Sequence, residues 1–236
     1  EDKNLGYTKA FEKLVEASTG DYIALCDQDD IWLSNKISRC VEELEKSGSL
    51  AVATDRMIID EHDNVLNTSV RAVSNKPYDS WKSYDDICKY NIFISYAVGM
   101  SMVDHTGHDK WLLACASAEG TVSFIEESLV QYRRHGKNVS GTLKGINNKE
   151  DYMKERVFSH IGIIEDFEKK YPQYKDLDEI KRFAYARKKH NLHDLIKYRY
   201  LSPDVAKFEI VLIFIPNFLF SLFLKLVRKQ NDKVIK

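Results

Sequence analysis

Residues 22–26, Tyr-Ile-Ala-Leu-Cys, form a short apolar run that ends abruptly in three carboxylates, Asp27, Asp29 and Asp30. An apolar run of that length bounded by polar residues predicts a strand buried on both faces, as found inside parallel sheets. Before it, Phe11, Leu14, Val15 and Ser18 recur at helical spacing, and Gly20 ends that helix. After it, Ser34 reads as the N-cap of a second helix, with Ile37, Val41 and Leu44 on one face and Gly48 beyond its end. Residues 50–54 read as a second strand, and the pairs at 58–59 and 65–66 flank the polar loop 60–64 as a hairpin would. Helix, strand, helix, strand is the order of an α/β domain with a parallel sheet.

Further along, residues 91–103 are apolar and β-branched, with Gly99 breaking the run. Residues 111–118 read as a helix, and 121–125 and 129–132 as two short strands. From 148 to 200 the chain is charged and helical, and residues 210–224 are apolar apart from Pro216, Asn217 and Ser221. These changes of character divide the chain into 1–145, a helical extension 146–206 and a tail 207–236. Residues 1–180 carry 22 basic and 32 acidic side chains, whereas 181–236 carry 13 basic and 4 acidic ones. A basic, apolar tail on an acidic body predicts contact with a membrane surface. Spanning a bilayer takes about 20 apolar residues, so the tail, broken at Pro216, fits an interfacial helix or hairpin better than a full span. Residues 1–20 show no apolar leader-like segment. The four cysteines are widely spaced, which argues against a zinc site and for reduced thiols.

Clustered carboxylates repel and raise one another's pKa, a cost that a divalent cation offsets. Magnesium or manganese takes hard oxygen ligands, commonly one or two carboxylates plus substrate phosphates. On an extended segment Asp27 and Asp29 point to the same side, and strand ends in α/β sheets are where ligands bind. No GxxxxGK[ST] loop is present, and the EF-hand pattern fails at Ile31 and Trp32. Two further polar clusters stand out: His108-Asp109-Lys110-Trp111, and residues 132–138, which set His135 among Arg133, Arg134 and Lys137. His62, His105, His160, His190 and His193 lack such neighbours and read as ordinary surface or core residues. The basic tail carries no interleaved aromatic platforms, so nucleic acid is not an expected partner.

The ordered set NxG at Asn4–Gly6, GDYIALCDQDDIWLSNKI at 20–37, HDKW at 108–111 and YRRHGKNVSG at 132–141 resembles family 2 glycosyltransferases, most of all their bacterial rhamnosyltransferase-like branch. The resemblance implies a GT-A fold, a Rossmann-like mixed sheet with flanking helices, here lacking the N-terminal part of the domain. It also implies an inverting transfer of a sugar, rhamnose among the candidates, from a nucleotide-diphosphate sugar to a lipid-linked or polysaccharide acceptor. By motif, Asp27, Asp29 and His135 would hold Mn2+ or Mg2+, and Asp109 would be the general base. Asn4, Gly6, Asp30, Trp32, Lys36 and Arg133 would line the donor site, and His108 and Trp111 the acceptor site. The expected location is cytoplasmic, at the inner face of the cell membrane. Two other classes fit parts of the pattern: a non-catalytic membrane-associated module derived from such an enzyme, and a metal-dependent phosphohydrolase. The latter would release inorganic phosphate and have no use for Asp109.

Overall fold

The longest strand, Val122–Arg133 (β4), is the element around which the first of two units is built. The computed structural model describes residues 6–69, 108–134, 143 and 145–235. The chain divides into Glu1–Asn91 with Ser95–Lys137, and Ile92–Ile94 with Asn138–Lys236. Residues 146–206 and 207–235 therefore share one unit instead of forming an extension and a separate tail.

In the first unit α1 (Gly6–Glu16) precedes β1 (Ile31–Trp32), α2 (Lys36–Ser47), β2 (Ala51–Ile59), β3 (Val65–Asn67), α3 (His108–Glu119) and β4. The described strands form one mixed sheet in the order β1-β4-β2-β3. β4 runs parallel to β2 and antiparallel to β1, and β3 returns antiparallel to β2. Alternation along β2 explains how both faces are covered. Ala51 and Ala53 pack with Leu113 and Ala116 of α3, and with Val122 and Phe124. Val52 points the other way, to Cys40 of α2 and to Ile125 and Leu129. Small side chains on β2 let the helices sit close, and each fully buried Leu, Ile or Val adds about 1.5–3 kcal/mol. The polar turn of the hairpin forms as expected: Asp60 Oδ1 accepts the amide N–H groups of His62 and Asn64. Gly48 ends α2 with φ 66°, its N–H donating to Leu44 O, a left-handed stop that glycine adopts without strain.

Three expectations are corrected. Residues 22–26 are not a buried strand: they have no ladder partner among the described residues, and Tyr22 and Ile23 are 50% and 40% exposed, although Leu25 is buried. An apolar run becomes a strand only when a neighbour takes up its backbone N–H and C=O groups. Residues 121–125 and 129–132 are not two strands but one. Its register slips as Thr54 faces Ile125 while Asp55 faces Ser128, which leaves Glu126 and Glu127 exposed and available to Arg39 of α2, at 2.7 Å from Glu127. The N-cap of α2 is Asn35 in place of Ser34, and the helix buries Lys36 and Cys40 while Ile37 stays exposed. The expected run at 91–103 lies outside the described residues.

The second unit is helical: α4 (Lys149–Tyr152), a π-helical turn (Met153–Phe158), α5 (Ser159–Lys170), α6 (Leu177–Lys189), α7 (Leu192–Lys197), a 3-10 turn (Arg199–Leu201), α8 (Pro203–Phe214) and α9 (Asn217–Ile235). Asn148 and Asn191 cap α4 and α7 by accepting the N–H of Asp151 and Asp194. Ile164, Phe167, Ile180, Phe183, Leu195, Leu201 and Phe220 are fully buried. Among them lies a polar network. Glu209 Oε1 accepts from Arg187 Nε at 2.9 Å and from the Tyr152 hydroxyl at 2.8 Å. Arg187 Nη2 also donates to Arg156 O within the π-helical turn, and Nη1 lies 3.0 Å from His160 Nδ1. Burial, followed by the charge of Glu209, pushes the Tyr152 hydroxyl far up, so it is a permanent donor. The break at Pro216 occurs as expected, between α8 and α9. Among the described residues, no helix is long and apolar enough to cross a membrane.

Candidate functional site

Asp27, Asp29 and Asp30 stand on a tight turn between the extended segment and β1. Asp30 N–H donates to Asp27 O at 3.3 Å, and Gln28 and Asp29 are the turn residues. The expected common side of an extended strand for Asp27 and Asp29 is thus replaced by a turn, because three successive acidic or amide side chains favour turn geometry over a ladder. Burial raises the Asp30 carboxyl to about 6. The Arg133 N–H pulls it back, and the charges of Asp27 and Asp29 add to the rise.

Arg133, at the end of β4, holds the turn in place. Its N–H donates to Asp30 Oδ1 at 3.2 Å, and its Nε donates to Asp29 O at 2.9 Å. Its Nη1 reaches the hairpin loop, donating to Asp60 O at 3.2 Å and pairing with Asp63. The guanidinium is thereby committed to the protein's own loops. Expected as a donor-site contact, it is placed instead as a clamp between the aspartate turn and the β2–β3 hairpin.

Lys36, the first residue of α2, is only 1% exposed. Its Nζ lies 3.4 Å from the centroid of the Trp32 ring, a close cation–π pair. Burial lowers its pKa to about 8, against the pull of Cys40, Cys26, Asp30 and Asp27. The thiols of Cys26 and Cys40 are raised, chiefly by burial. Asp30 Oδ2, Trp32 Nε1 and Lys36 Nζ are all buried with no hydrogen-bond partner. Buried polar atoms are rarely left unmatched in folded proteins, yet three occur within seven residues here.

The remaining expected residues are placed less completely. Gly6 opens α1. His108 and Asp109 lie in the first turn of α3, and Trp111 is half-buried one residue past Lys110 on the same helix. Asn4 and His135 lie outside the described residues. Among the described residues, no group of three or more His, Cys, Asp or Glu is placed to hold a metal ion. Asp27 and Asp29 still fit a hard cation: they supply two carboxylates on one turn, where negative charge already presses on Asp30, and donor phosphate oxygens would complete the shell. Sequence reasoning missed Asp60 and Asp63 as partners of the site. The acidic loop 60–64 was visible, but nothing local connects it to Arg133.

Residues 1–106 match the sequence profile described as glycosyl transferase family 2. The chain is also 25% identical over 152 residues to an uncharacterized glycosyltransferase of Nostoc sp., a match covering 57% of this chain and 46% of that relative. The chain thus spans about half the length of the curated relative it matches. No solved structure gives a significant match. The segment that carries the aspartate turn, Trp32 and Lys36 is therefore the segment that is similar to glycosyl transferase family 2.

Proposed function

We propose that the first unit takes part in an inverting, metal-dependent glycosyl transfer from a nucleotide-diphosphate sugar to a lipid-linked or polysaccharide hydroxyl. The observation that carries this is the concentration of orphaned polar atoms beside the aspartate turn, inside the segment similar to glycosyl transferase family 2. Rhamnose is the sugar the rhamnosyltransferase-like motif set points to.

Each residue has a distinct part. Asp27 and Asp29, with His135, would hold Mn2+ or Mg2+, which when bound supplies Lewis-acid stabilisation of the charge on the departing diphosphate. Arg133 positions the turn by fixing the backbone of Asp29 and Asp30. Lys36, too buried to reach a ligand, acts through Trp32 by holding the indole plane and by offsetting carboxylate charge nearby. The Trp32 face would then stack on the sugar or base. Asp109 takes the proton from the acceptor hydroxyl as its oxygen bonds to the anomeric carbon. The bond from that carbon to the diphosphate breaks, its electron pair leaving with the diphosphate, and the configuration inverts. A base remote from the metal carboxylates suits an in-line displacement.

Asp109→Asn tests the assignment of roles. The expected result is unchanged donor binding with transfer lowered about 10²–10⁴-fold. Equal transfer rates in the two proteins would remove Asp109 from the mechanism. Donor turnover that yields only inorganic phosphate would replace glycosyl transfer with phosphohydrolysis.

A further inference from the structure

The second unit carries an apolar surface that its own core does not use. On α9, Phe220 and Leu224 face inward and are buried, while Phe218, Leu219, Leu222 and Leu226 form a stripe on another face of the same helix. Phe218 is 79% exposed and Leu226 62%. On α8, Ala206, Glu209 and Leu212 are buried, and Lys207, Val211 and Phe214 share the outward face at i, i+4 and i+7. Phe214 is 69% exposed. The rings of Phe208 and Phe223 lie 5.4 Å apart, which draws the two helices together across the short connection at Ile215 and Pro216. Phe214 and Phe218 thus stand close in sequence on either side of that connection.

Single exposed apolar residues are ordinary, but a contiguous group of large ones marks an interaction site. Its charge setting selects the partner. From Ile210 to Asn231 the chain has three basic residues, Lys225, Arg228 and Lys229, and no acidic one. Lys225 is exposed between Leu222 and Leu226 in the helical sequence, and Lys207 is exposed on α8. Arg228 turns back to donate to Leu143 O and Ile146 O. A second copy of the chain would bring like charges together across the face. An anionic lipid surface matches it, with phosphates for the lysines and an acyl boundary for the aromatic and leucine side chains. Since neither helix can span a bilayer, insertion has to be shallow.

We propose that α8 and α9 form an in-plane docking surface for an anionic bilayer. Phe214, Phe218, Leu222 and Leu226 enter the headgroup–acyl boundary, and Lys207 and Lys225 meet lipid phosphates. This surface stands on residues of the second unit alone and is independent of whether the first unit transfers sugar.

The test is co-sedimentation of the 236-residue chain with vesicles of phosphatidylcholine alone or mixed with phosphatidylglycerol, at low and high salt. Binding is expected only with phosphatidylglycerol present, weakening with salt. The double substitution Phe214→Ser with Phe218→Ser should lower it about tenfold or more, with an unchanged circular dichroism spectrum. Lys225→Glu should weaken anionic-vesicle binding alone. Should the double variant misfold, Phe218→Trp read against brominated lipid supplies the second measurement, and quenching above that of the parent chain is expected. Equal binding by parent and folded double variant, or no quenching at position 218, overturns the proposal. So does failure to bind vesicles together with a self-association that the double variant abolishes, which would make the face a contact between copies.

Discussion

Lys36 is the residue at which stability and function pull apart. Its ammonium is buried, stacked on Trp32 and without a hydrogen-bond acceptor, and an unsatisfied buried group of this kind costs about 1–3 kcal/mol. Lys36→Met keeps the length and removes the charge, so it should raise stability at pH 7 by about 1–2 kcal/mol while weakening nucleotide binding. Below about pH 8 the ammonium is charged in folded and unfolded chains alike, and its burial penalty is fully present. Between about 8 and the ordinary value of 10.5 the folded chain releases the proton first, so this group makes stability rise with pH over that window. Denaturant midpoints at pH 7 and above pH 9 check both points. The rise should be absent in Lys36→Met, and a parent chain whose stability is flat there would contradict this account of Lys36. Arg133→Ala should cost about 1–3 kcal/mol and weaken nucleotide binding without removing any metal ligand. Asp27, Asp29, Trp32 and Lys36 are close in sequence and were legible as one cluster. The clamp was not, because Asp60 and Asp63 lie some 70 residues before Arg133 and no local pattern announces that pairing.

At the scale of elements, local punctuation was read well and long-range pairing poorly. Gly48 is a left-handed helix stop at φ 66°; Gly48→Ala should cost about 1 kcal/mol, and Gly48→Asn less. The hairpin at β2 and β3 followed from its polar turn. The run at 22–26 misled because apolar composition does not supply a neighbouring strand. The bulge that keeps β4 whole is set by the partner β2, with Glu126 and Glu127 looped out. In the helical unit, periodicity showed helices but not the network that locks α8 to α6 and α4. Glu209→Ala leaves Arg187 charged at 1% exposure and should destabilise the chain by about 3–5 kcal/mol. The paired change Arg187→Met with Glu209→Leu should recover most of that loss. Thermal unfolding of the single and double variants decides between a locked network and independent contacts.

Over the whole molecule, the sequence divides acidic from basic, and the structure divides a sheet unit with the aspartate turn from a helical unit with the exposed apolar surface. The charge split was legible because it is compositional. The merger of residues 146–206 and 207–235 into one unit was not, since it depends on buried faces of α8 and α9 that alternate with exposed ones. The central claim is that the aspartate turn binds a nucleotide diphosphate through a divalent cation. A calorimetric titration of UDP and dTDP into the chain, with and without manganese, tests it most directly when repeated on Asp29→Ala. Binding that requires manganese and disappears in Asp29→Ala is the predicted result. Binding that is indifferent to manganese, or equal in Asp29→Ala, would contradict it.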